Sequence, residues 1–421
     1  MNKGVLLPEV IEVRQEFPAP LVADVGKAVA GEMRRRSPGI RPGSRVAIAV
    51  GSRGIHRIAG MVAAVVTEVR AAGGIPFIVP AMGSHGGATA EGQRELLAGY
   101  GITEGQVGAP VISSMEVIQL GSTPGGLPVF CDRQAAGADG IILINRVKPH
   151  TSFHAPIESG LAKMLAIGLG KDTGAQLIHS HGVEGLKNLI PEVARLMLRK
   201  LPVVLGLAVI ENAYDQTARV EALLPGEILS REPDLLAEAR SLMPSLPFDH
   251  LDVLVVQEIG KNISGTGMDP AITGRLGIRG QPDLPRPRVG RLAVLDLTPE
   301  THGNAHGVGS ADIITRRLHE KIDLQKTYTN ALTAGFPEKA AIPLTAGSDR
   351  EAVALAMATC GRPVDAASVR LVLIKNTLQV SKLFISRALA EEALAKEHVR
   401  LSGEWRTLGF DPNGTLSHLW T

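Results

Sequence analysis

Short, almost wholly apolar runs that end in glycine-rich polar loops recur along this chain. Each is followed by an amphipathic segment, and this alternation limits the possible folds more than any other feature. Residues 45–50 read RVAIAV and run into Gly51-Ser52-Arg53-Gly54, after which Ile58, Met61, Val62, Val65 and Val69 mark one face of a helix. Pro76 and Pro80 bracket a second strand, followed by the loop AMGSHGGAT (81–89) and a helix expected over 90–100. A third run, Ile141-Ile142-Leu143-Ile144, leads into a loop rich in histidine. Apolar runs without alternation are typical of strands buried on both faces, and such strands are covered by their own crossover helices. The expected fold class is α/β, with mostly parallel sheets flanked by helices and ligands gathered beyond the C-terminal ends of the strands.

The rest of the sequence continues the pattern. A short strand and a helix ending in Arg34-Arg35-Arg36 fill the first thirty-six residues, and a β-like stretch covers 111–132. Helices are expected over 186–199 and 233–242, with a strand at 203–210 between them. Pro244, Pro247 and Asp249 then break the order, and strands resume at 251–256, 292–297 and 369–374, with helices at 312–320, 350–359 and 386–397. A chain of 421 residues exceeds what one core usually supports. Two α/β domains are therefore expected, 1–247 and 248–421, with the active site in the cleft between them.

Several classes of function are disfavoured. The 44 basic and 42 acidic residues leave a net charge of +2, with no basic block for neutralising phosphates, and aromatics make up only 3%. Nucleic acid is not an expected partner. The N-terminus MNKGVLLPEVIEVRQEF lacks a secretory pattern and no apolar run approaches the length of a span, so no membrane is expected and a cytoplasmic location is. Cys131 and Cys360 form no CxxC, so any metal is expected on nitrogen and oxygen. The run IGLGKDTG (167–174) fails as a phosphate loop, because Leu165 takes the first glycine position and Asp172 the Ser/Thr position.

Chemistry concentrates in residues 145–181, NRVKPHTSFHAPIESGLAKMLAIGLGKDTGAQLIHSH, which hold four of the twelve histidines. His150 follows the third strand. A helix is expected to start near Ser159 and to carry Lys163 in its second turn, the one charge between Ser159 and Gly170. Its small neighbours leave room for a bulky group beside the amine. A surface lysine is the plainer alternative, and the uncharged surroundings weigh against it. His179 and His181, two apart, point to different sides, so at most one reaches a given site. Arg53 can clamp a carboxylate, although an ordinary surface arginine reads equally well and Arg57 competes. His85, between Gly83 and Gly86-Gly87, suits proton transfer, or serves simply as a turn histidine. His302 and His306 sit among glycines and are expected to be structural or cleft-lining.

In order, Ser52-Arg53, Gly83-Ser84-His85, Pro149-His150, Ser159-Gly160-Leu161-Ala162-Lys163 and His179 resemble the lactate racemase family that uses the nickel-pincer nucleotide. The resemblance implies that Arg53 binds the substrate carboxylate, that His85 and His150 are the two acid/base groups, and that Lys163 carries the cofactor covalently. It implies His179 as the nickel ligand. The cofactor is a pyridinium thioamide/thiocarboxylate mononucleotide with nickel, so one imidazole and no cysteine would suffice. The implied reaction is racemisation or epimerisation at C2 of a small-molecule 2-hydroxy acid, with cofactor-biosynthesis proteins as further partners. Lys261, in the first loop of the second domain, is expected on substrate or cofactor phosphate.

Gly51, Gly54 and Gly86 depart from the family's flanking residues. Extra residues between Pro-His and Lys163 make His154 a second candidate for the second base. Two other readings stay open: a lyase or hydrolase using these histidines with an exchangeable metal, and a binding protein for a nucleotide-like ligand with Lys163 as phosphate contact.

Overall fold

The computed structural model describes residues 6–52, 54–417 and 419–420, so Arg53 lies outside the described residues. The chain forms two compact units: Pro18–Met243, and the N-terminal segment up to Phe17 together with everything from Pro244 onward. The boundary near 244 lies close to the expected one, but the first strand belongs elsewhere. Strand β1 (Glu9–Gln15) pairs antiparallel with Lys382–Ser386 and Val399–Thr407, so the segment expected at the start of domain 1–247 belongs to the C-terminal unit. The physical reason is that β1 is an interior strand of that sheet. Val10 and Val13 are buried on opposite faces, and both of its edges are hydrogen-bonded to C-terminal strands.

Within Pro18–Met243 the strands are β2 (Arg45–Val50), β3 (Ile75–Pro80), β4 (Val117–Ser122), β5 (Pro128–Asp132), β6 (Gly140–Arg146), β7 (Val203–Glu211) and β8 (Thr217–Leu223). A five-stranded sheet has the order β3-β2-β6-β7-β8; its first four strands are parallel and β8 is an antiparallel edge. The β-like stretch is the separate hairpin β4-β5. The helix Val25–Arg36 starts at Asp24, which accepts the Lys27 N–H at 3.0 Å, and ends in the three arginines that complement its C-terminal dipole. Its Val29, with Met61 and Val65 from the helix Ile58–Ala71, packs in one core with Ile48, Ile142 and Leu205 of the sheet. Because β2, β3 and β6 run in parallel, the loops that follow them leave from one edge. This edge carries His85, His150 and His154.

The other unit has a mixed eight-stranded sheet. Its strands β9 (His250–Ile259), β10 (Arg288–Leu297), β11 (Ile313–Thr315), β12 (Leu344–Ala346) and β13 (Leu371–Ile374) are parallel, and β14 (Lys382–Ser386), β1 and β15 (Val399–Thr407) extend it antiparallel. Leu254 and Val256 lie in one core cluster and Val253 and Val255 in another, so the sheet is buried on both faces.

Two expected helices change here. Residues 312–320 begin as β11, because β-branched Ile313-Ile314-Thr315 suits a strand, and only Arg316–Glu320 is helical, with Thr315 Oγ1 accepting the Leu318 N–H. Ser386 ends β14 rather than starting a helix, and the helix is confined to Ala390–Leu394. Among the described residues no helix is long and apolar enough to cross a membrane.

Candidate active site

The loops after β2 and β3 are tied together by specific contacts. Ser52 Oγ hydrogen-bonds His85 Nδ1, linking the first loop to the second. Tyr100 donates its hydroxyl proton to the Ser52 carbonyl at 2.6 Å, which fixes the serine from behind. In the second loop, Gln93 Nε2 donates to the carbonyls of Gly83 (2.8 Å) and His85 (3.1 Å). Gly86 has φ 66°, and a Cβ there would lie 2.7 Å from the Gln93 nitrogen, so the turn that exposes His85 needs glycine. Gln93 is fully buried and receives Lys171 Nζ at 2.5 Å. Lys171 also donates to the Pro80 carbonyl at 2.9 Å, so this third lysine of the histidine region is a structural clamp on the His85 loop.

The expected helix from Ser159 is interrupted. Gly160 is the N-cap, Leu161–Lys163 makes one α-helical turn, and Met164–Leu169 is a π-helix, followed by the α-helix Lys171–His179. Lys163 therefore sits in the first turn, at an α-to-π junction, and not in the second turn. A π-segment turns side chains out of the 3.6-residue register and occurs often at functional sites. Its glycine suits close approach: Gly168 accepts the Gly83 N–H at 3.1 Å, and a Cβ on it would lie 2.6 Å from the Ala81 oxygen. The lysine-bearing segment thus lies directly against the His85 loop.

Asn145, at the end of β6, donates to the Gly160 carbonyl at 2.6 Å. Behind it, Glu232 from the helix Ile228–Ser241 accepts the Ala162 N–H at 3.0 Å and holds the first turn in place. A Cβ on Gly160 would be 2.4 Å from Glu232 Oε1, so Gly160→Ala should cost about 1–3 kcal/mol by overpacking. Denaturant unfolding would measure the loss, and wild-type stability would show that the carboxylate can move aside.

Lys163 is half-buried, and it is close enough to His179 to act on it electrostatically. Burial first, and the Lys163 charge second, push the His179 imidazole down to about 4. The ring is therefore neutral at physiological pH, the state in which imidazole binds a metal. Its Nδ1 is buried with no hydrogen-bond partner among the described residues. No three His, Cys, Asp or Glu side chains among the described residues are grouped to hold a metal ion, so a metal at His179 would take its other ligands from a bound group. His181 lies between two helices, and its Nδ1 is 2.9 Å from the Leu177 carbonyl of the preceding one.

The loop after β6 presents His150, half-buried, and His154, exposed. His150 Nδ1 accepts the Ser152 N–H at 3.1 Å, which leaves the proton of the neutral ring on Nε2. His154 Nδ1 lies 3.2 Å from Glu158 Oε1. In the other unit, Lys261 Nζ donates to the Gly265 carbonyl at 2.5 Å and to Asn330 Oδ1 at 2.7 Å, so it ties its own loop to the helix Leu324–Ala334. His306 is buried there, and desolvation, with Lys261 and Lys339 nearby, pushes it down to about 3, in keeping with a structural role.

Glu158, Glu232 and Arg240 escaped the sequence reading. The two carboxylates act on backbone amides, which leave no motif, and Arg240 reaches Glu158 across eighty-two positions.

The described features define an α/β domain with polar loops on one edge of a parallel sheet, a histidine pair in those loops, and a lysine beside a neutral imidazole whose Nδ1 has no hydrogen-bond partner among the described residues. Residues 30–187 match the family model for the lactate racemase N-terminal domain. This part of the chain, which contains Arg53, His85, His150, His154, Lys163 and His179, is thus similar to the N-terminal domain of the family that the ordered motifs resemble. Among solved structures the chain is similar to the lactate racemase apoprotein from Thermoanaerobacterium thermosaccharolyticum, with 12% identity, coverage of 87% of this chain and 88% of that one, and a TM-score of 0.45. No curated protein matches the sequence significantly.

Proposed function

We propose that the protein is a 2-hydroxyacid racemase or epimerase that works with a nickel-pincer nucleotide carried on Lys163 and ligated through its metal by His179. The observation that carries this reading is the buried, unpartnered Nδ1 of a neutral His179 beside Lys163. The residues fit the group: an amine in uncharged surroundings for the covalent link, one imidazole for the metal, and no need for cysteine. When bound, the group supplies a reversible acceptor for the hydrogen and electron pair of the substrate C2–H bond.

The protein's own residues bind and orient the substrate and manage its hydroxyl proton. Arg53 holds the carboxylate of the 2-hydroxy acid. His85 and His150 act at the substrate hydroxyl from two different loops, as inversion requires. Their hydrogen bonds give them different starting states. The Ser52 hydroxyl can donate to His85 Nδ1 or accept from it, so His85 can begin as base or as acid. The Ser152 amide can only donate, which favours His150 with its proton on Nε2. His154 is the alternative second base, and Lys261 is proposed as a contact to substrate or cofactor phosphate.

Co-expression with cofactor-biosynthesis proteins should give a covalent adduct on the Lys163 peptide and nickel near one per chain. Both should be lost in Lys163→Arg. An unmodified Lys163 in cells that make the cofactor would overturn the reading.

A further inference from the structure

The loop that carries His150 is closed at its base, where Lys148 donates to the Ser159 carbonyl at 2.9 Å and Ser159 donates back at 3.3 Å. One side chain organises what lies between. Glu158 is fully buried and folds back into the loop, its Oε2 accepting the His150 N–H at 2.6 Å and its Oε1 accepting the Ala155 N–H at 2.9 Å. The guanidinium of Arg240, from the helix Ile228–Ser241, also binds Oε1, and His154 Nδ1 lies 3.2 Å from the same oxygen. A buried carboxylate is costly unless paired and hydrogen-bonded, and both oxygens here meet donors. The imidazole of His150 is fixed separately. The buried Phe153 ring lies against it, with centroids 4.5 Å apart, and Ser152 holds its Nδ1.

We infer that Glu158, with Arg240 as its counter-ion, is the positioning residue that sets the place of the His150 backbone, and through it where the imidazole is presented. The inference rests on His150 acting as an acid/base group, because only then does its placement control turnover. The same helix supplies Glu232 to the first turn of the Lys163 segment, so residues two turns apart on one helix support both the histidine loop and the lysine. A glutamine at 158 would keep the volume but point a donor amine at a cluster of donors. The His150 backbone would shift, and a displacement on the order of 1 Å can lower turnover about 10²-fold.

The test uses the full chain with ¹⁵N-labelled histidine and compares wild type, Glu158→Gln and Arg240→Gln. In wild type, the ring nitrogen shifts should report His150 protonated at Nε2, and its amide proton should lie downfield because it binds a carboxylate. In Glu158→Gln that amide should move upfield, and kcat should fall about 10- to 100-fold with a much smaller change in KM. Arg240→Gln should move both in the same direction by less. Arg240 is partly exposed, so this variant decides the matter if Glu158→Gln fails to fold. Wild-type kcat in a folded Glu158→Gln protein, or an unmoved His150 amide, would overturn the inference. If wild type inverts no 2-hydroxy acid, the proposed function fails, and the amide and ring shifts alone then decide the positioning role of Glu158.

Discussion

His85→Ala is expected to lower isomerisation by about 10²- to 10⁴-fold while the Lys163 adduct and nickel content stay at wild-type levels. The first half follows from the loss of a ring that exchanges a proton with the substrate hydroxyl. The second follows from how the loop is held. Gln93 grips the carbonyls of Gly83 and His85, Lys171 grips Gln93, and Gly83 donates to Gly168 of the lysine-bearing segment. None of these contacts uses the imidazole, so alanine removes the ring and leaves its platform. Ser52→Ala should cost less, because it removes the partner of Nδ1 and leaves the ring in place. Chiral chromatography of the products, with intact-mass and nickel analysis of the same samples, measures both halves. Wild-type turnover in His85→Ala would remove this residue from the mechanism, whereas loss of the adduct would make its role structural.

The sequence displayed what depends on side-chain period and concealed what depends on the backbone. The runs RVAIAV and IILI announced buried parallel strands, and parallel strands alone were enough to bring the loops of Ser52, His85 and His150 to one edge. The position of β1 was not legible, since a lone strand near the N-terminus carries no mark of its partners, and these lie more than 350 residues away. The π-helix was hidden for another reason. MLAIGL is apolar on every side and all of it is buried, so no hydrophobic face existed to reveal that the register changes after Lys163. Ser386 reads as a helix start by composition, yet its hydroxyl is used inside the sheet, accepting the Leu371 N–H and donating to the Val369 carbonyl. The lysine and histidine of the proposed cofactor site stood out because they are chemically unusual in apolar surroundings. Their supports did not, because a glutamate that caps an amide looks like any other glutamate.

Glu232→Gln is expected to stabilise the Pro18–Met243 unit at pH 8 and to make little difference near pH 4.5. Glu232 is almost completely buried, and its Oε1 has no hydrogen-bond partner among the described residues. Hydrogen bonds from the Ala162 and Leu161 amides favour the ionised form, but desolvation outweighs them and pushes the carboxyl up to about 7. In the unfolded chain the same group titrates near 4.5. Below 4.5 it is protonated in both states and contributes no pH dependence. Between about 4.5 and 7 the unfolded chain releases a proton that the folded chain keeps, so stability falls as pH rises through this window and the full cost remains above it. At roughly 1.4 kcal/mol per unit, the cost reaches at most about 3 kcal/mol. Glutamine keeps an acceptor for the Ala162 N–H and carries no charge to desolvate, so the wild-type stability curve should slope downward across this window and the variant's should be flatter. Urea unfolding of both proteins at pH 5, 6, 7 and 8, followed on the transition of this unit, measures the difference. Parallel curves would show that Glu232 is ionised in the folded protein. The carboxylate would then be a charged cap on the first turn of the Lys163 segment, and glutamine would loosen that turn at every pH tested.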